Sequence, residues 1–62
     1  MKLYDVVELV VDLPGDGLRA GAIGTIVDEY TDPRAYEVEF ADDDGATIAL
    51  TALRPEQLRT RA

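Results

Sequence analysis

The stretch "AYEVEF", residues 35–40, decides the fold of this chain because its apolar and charged side chains alternate with a period of two residues. In an extended segment, Tyr36, Val38 and Phe40 fall on one side, and Glu37 and Glu39 fall on the other. This pattern is typical of a strand that is buried on one face of a sheet. We therefore expect the three apolar residues to lie at the centre of the hydrophobic core.

The stretch "ADDDGATIALT", residues 41–51, continues as the turn and second strand of a hairpin. Asp44 followed by Gly45 favours a tight turn between antiparallel strands. After the turn, Ile48 and Leu50 alternate with alanine and threonine, so we expect both to face inward. The first strand, "YDVVELVV", alternates in the same way. The expected core consists of Val7, Leu9, Tyr36, Val38, Phe40, Ile48 and Leu50.

Glycines at positions 17, 21 and 24 lead into another β-branched strand, "AIGTIVDEY", residues 22–30. Glycine-rich loops can bind phosphate through backbone amides, but such a loop is normally followed by a helix and carries a lysine. Here a strand follows, and no lysine is present in the loop. We therefore read residues 12 to 22 as a long loop, and Gly24, inside the strand, as the site of a bend or bulge.

The C-terminal stretch "LRPEQLRTRA", residues 53–62, predicts one short turn and one short strand. Proline is tolerated in a first helical turn, so a 3₁₀ turn is expected at Pro55 to Gln57, before a brief strand around Leu58. We therefore expect residues 1–62 to form a single all-β domain. We predict a small five-stranded SH3-like barrel with a long loop after strand 1 and a 3₁₀ turn before the last strand.

The chain also resembles a small uncharacterised bacterial family of stand-alone domains of unknown function. The resemblance rests on a valine-rich first strand, the D-L-P loop at residues 12–14, "GAIGTI" at residues 21–26, "YEVEF" and a closing "QL". It covers nearly the whole chain and implies no activity. A broader similarity to KOW-type barrels rests on Gly21, Gly24 and Ile26. KOW modules commonly carry basic loops, and this loop is acidic, so RNA binding is not carried over.

The composition excludes several function classes. The chain has no cysteine and no histidine, and therefore lacks a thiolate nucleophile, the usual general base and the commonest metal ligands. We expect no enzyme activity, no cofactor and no bound metal. Thirteen acidic against six basic residues give a formal net charge of −7. This charge opposes binding to nucleic acid and to anionic membranes and favours basic protein partners. A cytoplasmic location is expected.

The acidic residues supply the candidate binding site. Glu37 and Glu39 share one face of their strand, and Asp28 and Glu29 are expected to join them from the neighbouring strand. The hairpin turn adds Asp42 and Asp43. The alternative interpretation is that this acidity only keeps a small protein in solution. A calcium site in the turn is disfavoured because consecutive aspartates splay apart. The candidate partner-binding residues are Asp28, Glu29, Glu37, Glu39, Asp42 and Asp43.

The leading functional hypothesis is a non-enzymatic interaction module that docks an acidic face on a basic protein partner. One concrete form is an antitoxin-like or immunity-like protein that covers a basic site on its partner. The alternative is a structural or accessory subunit, or a homodimer, that docks through an apolar edge strand. Salt distinguishes the two hypotheses, because charge-driven docking weakens with ionic strength.

Overall fold

The computed structural model describes residues 1–61, which form one antiparallel sheet of five strands with two short 3₁₀ helices. The strands are β1 (Val6–Leu9), β2 (Ile23–Thr31), β3 (Arg34–Ala41), β4 (Thr47–Leu53) and β5 (Leu58–Thr60), and the 3₁₀ helices are η1 (Pro14–Asp16) and η2 (Pro55–Gln57). The strand order is β4-β3-β2-β1-β5, so the last strand returns beside the first. The all-β class, the five strands, the long loop after β1 and the 3₁₀ turn before β5 are confirmed.

The predicted alternation in β3 divides the sheet into two faces. Tyr36, Val38 and Phe40 are buried on the core face, and Glu37 and Glu39 lie half-buried on the outer face. Side chains that lie directly opposite each other on paired strands share a face, so the pairing of β2 and β4 with β3 shows which of their side chains lie on each face. The core consists of Val7, Leu9, Leu18, Ile26, Tyr36, Val38, Phe40, Leu53 and Leu58.

The prediction that Ile48 and Leu50 face the core is wrong. Their side chains are 53% and 58% exposed, whereas Leu53 is buried. Leu53 lies opposite Tyr36, and Leu50 lies opposite Glu39, which places Leu50 on the outer face. The register shifts at the start of β4, between Phe40 and Ala41, and this shift inverts the alternation expected from the turn.

Strand β2 contains a bulge, but not at the position that its glycine predicted. Ile26 pairs with Val38 and Asp28 pairs with Glu37, so Val27 is the extra residue. Gly24 lies in a regular part of the ladder, opposite Phe40. A Cβ atom at Gly24 would lie 2.6 Å from Val38 Cγ1. The glycine is therefore explained by close packing and not by a bulge.

The segment between β1 and β2 packs against the core. The first strand ends at Leu9, earlier than its alternation suggests, and Val11 lies exposed in the loop. Within this loop, η1 is framed by an antiparallel bridge between Leu13 and Leu18, and Leu18 is buried. The loop thus contributes one side chain to the core. Within residues 1–61, no helix has the length and apolar character needed to cross a membrane.

Candidate functional site

The outer face of the sheet brings together three of the predicted acidic residues. Glu37 and Glu39 project from β3, and Asp28, in β2, lies directly opposite Glu37. Thr25 occupies the equivalent β2 position opposite Glu39. We call Asp28, Glu37 and Glu39 the outer carboxylates. Their grouping follows from the alternation in β3 combined with the bulge in β2, which brings Asp28 into line with Glu37.

Each outer carboxylate accepts a hydrogen bond from an uncharged donor. The Tyr30 hydroxyl donates to Glu37 Oε1 at 2.8 Å, and the Thr47 hydroxyl donates to Glu39 Oε2 at 2.8 Å. Asp28 Oδ1 accepts the backbone N–H of Glu29 at 2.8 Å. Tyr30 is in β2 and Thr47 is in β4, so the Glu37 and Glu39 side chains turn toward opposite neighbouring strands. These bonds orient the carboxylates but leave their charge intact.

No basic side chain within residues 1–61 forms an ion pair with the outer carboxylates. In contrast, Glu8, on β1, forms two ion pairs. Its Oε2 accepts a hydrogen bond from Arg59 Nη2 at 3.1 Å, and its Oε1 lies 3.8 Å from Arg61 Nη1. Arg59 lies directly opposite Glu8 across β1 and β5. Across the same sheet, therefore, the negative charge is neutralised beside β5 and remains uncompensated beside β3.

The surroundings of the Tyr30 hydroxyl, which include Glu37 and Asp28, change its pKa. Its pKa is raised above the ordinary value of 10.0, first because the hydroxyl donates its hydrogen bond to Glu37. Partial desolvation and the nearby charges of Glu37 and Asp28 act in the same direction. A negative tyrosinate would be repelled by these carboxylates, so the neutral phenol is favoured.

Glu29 does not belong with the outer carboxylates, contrary to the prediction. It lies opposite Tyr36, whose side chain is on the core face. The bulge at Val27 aligns Asp28 with the outer face, and Glu29 therefore lies on the same face of the sheet as Tyr36. Glu29, Tyr36 and Arg34 help to line an open depression of about 390 Å³ at the end of the β2–β3 hairpin. The Arg34 guanidinium carbon lies 5.9 Å from the centre of the Tyr36 ring, within cation–π distance.

Asp42 and Asp43 lie exposed in the β3–β4 turn, between the ends of the two strands. Asp42 Oδ1 accepts the backbone N–H groups of Asp44 and Ala46, each at 2.9 Å. The turn is closed by the Gly45 N–H, which donates to the Asp42 carbonyl at 3.0 Å, and Gly45 has a positive φ of 83°. Asp42 is thus part of the turn itself. Among residues 1–61, no three acidic side chains are arranged as a metal site.

Two apolar residues of β4 that the sequence predicts in the core are instead exposed. Leu50 lies directly opposite Glu39, and Ile48 lies at the register shift that begins β4. We call Ile48 and Leu50 the edge patch, because β4 is the terminal strand of the sheet. The signal that could have located them is Leu53, which lies three positions after Leu50 and therefore on the opposite face of the strand.

Comparison with known proteins assigns a family but no activity. No curated protein and no solved structure gives a significant match to this chain. A family model described as "Domain of unknown function (DUF4926)" matches residues 3–60. The match spans all five strands, together with the outer carboxylates and the edge patch. The chain therefore belongs to the DUF4926 family of domains of unknown function.

Proposed function

We propose that this chain is a non-enzymatic interaction module of the cytoplasm, with an SH3-like arrangement of strands, that docks its outer carboxylates on a basic protein. The observation that carries this proposal is the absence, within residues 1–61, of an ion-pair partner for Asp28, Glu37 and Glu39. Glu8 has two arginine partners in the same sheet. Negative charge on the β3 side is thus left available to another molecule.

The energetics of the face support a role in binding rather than in folding. Asp28 and Glu37 lie directly opposite each other, and like charges in this position destabilise a sheet. A basic partner would relieve their repulsion on docking. Complementary charge also accelerates the encounter between two proteins and suppresses binding to wrong partners.

The net charge of −7 narrows the class of partner. Nucleic acid and anionic lipid carry the same sign of charge and would be repelled. A protein that itself binds nucleic acid presents the opposite charge. An antitoxin-like or immunity-like role, in which this domain covers the basic site of a nuclease or another nucleic-acid-binding protein, is the concrete form of the proposal.

The test is affinity capture from lysate of the source cell, followed by binding measurements with the purified partner. Glu37→Gln/Glu39→Gln keeps an oxygen acceptor for Tyr30 and Thr47 but removes two charges. We expect this variant to bind the partner more slowly, and its affinity to depend less on salt.

A matched control removes two charges elsewhere. Asp16→Asn/Glu29→Gln makes the same change in net charge, at η1 and on the opposite face of β2. We expect it to retain most of the affinity of the parent protein. Equal losses for the two double variants would contradict a localised acidic site, and full affinity in the Glu37/Glu39 variant would overturn the proposal.

A second candidate function is favoured by the edge patch. Ile48 and Leu50 expose more than half of their surface on a terminal strand, as expected of a subunit that completes a larger protein or a homodimer. Binding of this kind would persist at high salt. It would be lost in Leu50→Lys and retained in Glu37→Gln/Glu39→Gln.

A further inference from the structure

Strand β4 is an unprotected sheet edge. It is the terminal strand, pairing with β3 on one side, and its sequence "TIALTAL" contains no charged residue. Edge strands of soluble proteins are usually short or carry charged residues that discourage pairing with another chain. The other edge, β5, follows this rule, since it has three residues and includes Arg59. The contrast identifies β4 as the edge that is open to a further strand.

The regular part of β4 presents two different faces to such a strand. After the register shift, Ala49 to Leu53 pair without interruption with Phe40 to Tyr36. Ala49 and Thr51 are half-buried on the core face, whereas Leu50 is exposed on the outer face. An added strand would therefore meet small, sheltered side chains on one face and an exposed leucine on the other.

Glu39 lies directly behind Leu50 when viewed from this edge. The two residues are opposite each other across β3 and β4. The 2.8 Å hydrogen bond from Thr47 in β4 turns the Glu39 carboxylate toward the edge. Glu37 is instead held toward β2 by Tyr30. Of the two glutamates in β3, Glu39 is therefore the one within reach of a side chain that crosses Leu50.

We propose that β4 binds an extended segment of the basic partner as a sixth strand, in which basic side chains on the outer face alternate with apolar side chains on the core face. This inference rests on the proposed function and specifies the partner's chemistry. A lysine or arginine opposite Leu50 lies two strand spacings, about 10 Å, from Glu39. Its aliphatic stem packs on Leu50, and its charged end meets the carboxylate. Main-chain hydrogen bonds along β4 supply the rest of the affinity.

The charge of the protein favours a basic segment over a second copy of the chain as the occupant of the β4 edge. Two copies joined through β4 would each bring a net charge of −7, and both Glu39 side chains would lie on one continuous outer face. Strand β4 offers no cation to compensate them. A basic segment meets the same apolar edge and neutralises Glu39.

Two synthetic peptides test the proposal with the intact protein. One alternates lysine and valine, and the other has the same residues arranged as a lysine block and a valine block. Both carry the same charge, but only the first can place its lysines together on one face of a strand. We expect the alternating peptide to bind about tenfold more tightly, measured by calorimetry. It should also shift the NMR amide signals of Ala49 to Leu53.

Variants of the protein locate the contact. Glu39→Gln should weaken binding of the alternating peptide more than Glu37→Gln does, because Glu37 points toward β2. Leu50→Lys should abolish that binding, whereas Ile23→Lys, an equal change at an exposed residue of β2, should retain it. Calorimetry on each variant supplies the comparison.

Three outcomes would overturn the inference. Equal binding of the two peptides would show attraction by charge without strand addition, and would leave the proposed function standing. Failure of both peptides to bind would exclude β4 as the docking edge, while the capture experiment would still decide the proposed function. Self-association of the parent protein that Leu50→Lys disrupts would show that the edge is occupied by a second copy.

Discussion

Val38 packs against the backbone of Gly24 so closely that no side chain fits there. A Cβ atom at Gly24 would lie 2.6 Å from Val38 Cγ1 and 2.9 Å from the carbonyl oxygen of Glu39. Val38 is fully buried, so it has little freedom to move away. This contact lies between β2 and β3, one residue from the outer-face position of Glu39.

Gly24→Ala should therefore destabilise the protein by about 1–3 kcal/mol, the range for an overpacked core. Urea unfolding measures the loss. Gly15→Ala is the control, because a Cβ atom at Gly15 has nothing within 4 Å and should change the unfolding free energy little. Equal effects of the two substitutions would contradict the close approach.

Leu53→Ala should cost about 2–5 kcal/mol, whereas Leu50→Ala should change stability by no more than about 0.5 kcal/mol. The reason is the register of β4, which buries Leu53 and leaves Leu50 58% exposed. Thermal unfolding of the two variants provides the measurement. The reverse ranking would restore the alternation that the sequence alone predicts.

Phe40→Ala should cost about 3–5 kcal/mol and leave little folded protein in a domain of this size. Phe40 is 1% exposed and is the largest fully buried side chain. Phe40→Leu keeps most of the buried volume and should remain folded with reduced stability, as circular dichroism would show. A Phe40→Ala variant that melts like the parent would disprove the central position of β3.

Asp42→Ala should destabilise the β3–β4 hairpin by about 1 kcal/mol, because it removes the acceptor for the N–H groups of Asp44 and Ala46. Asp43→Ala, at the exposed neighbouring position, should have little effect. Denaturant unfolding distinguishes the two. Identical stabilities would show that the Asp42 carboxylate does not support the turn.

Glu37→Ala should lower the pKa of Tyr30 toward its ordinary value of 10.0, since it removes the acceptor of the hydrogen bond, the main cause of the raised pKa, together with the nearby negative charge. Ultraviolet absorbance of tyrosinate during a pH titration measures this change. In the parent protein, the hydrogen bond stabilises the fold below the unfolded-state pKa of about 10 and is lost as the pH rises through the raised value.

Tyr30→Phe should therefore lower stability near neutral pH, and this difference from the parent should shrink in strongly alkaline solution. The comparison requires unfolding curves at several pH values. A difference that grows with alkaline pH would have the wrong sign for a neutral phenol donating to a carboxylate.

The sequence by itself determined the class of the fold and the two faces of β3. The alternation from Tyr36 to Phe40 needs only the two-residue period of a strand and the burial of apolar groups. The 3₁₀ turn at Pro55 was predicted for a similarly local reason, since proline fixes the backbone for a first helical turn. The position of Glu37 and Glu39 on the face away from the core follows from the same alternation.

Only the tertiary structure decided which residues lie beside those carboxylates. The bulge at Val27 aligns Asp28 with Glu37 and removes Glu29 to the other face, and the shift at the start of β4 places Leu50 beside Glu39. A change of register by one residue inverts every side chain that follows, and it depends on pairing between strands that are distant in sequence. Composition and local period therefore specify that a strand has two faces, while pairing with the neighbouring strands decides which side chains of β2 and β4 occupy them.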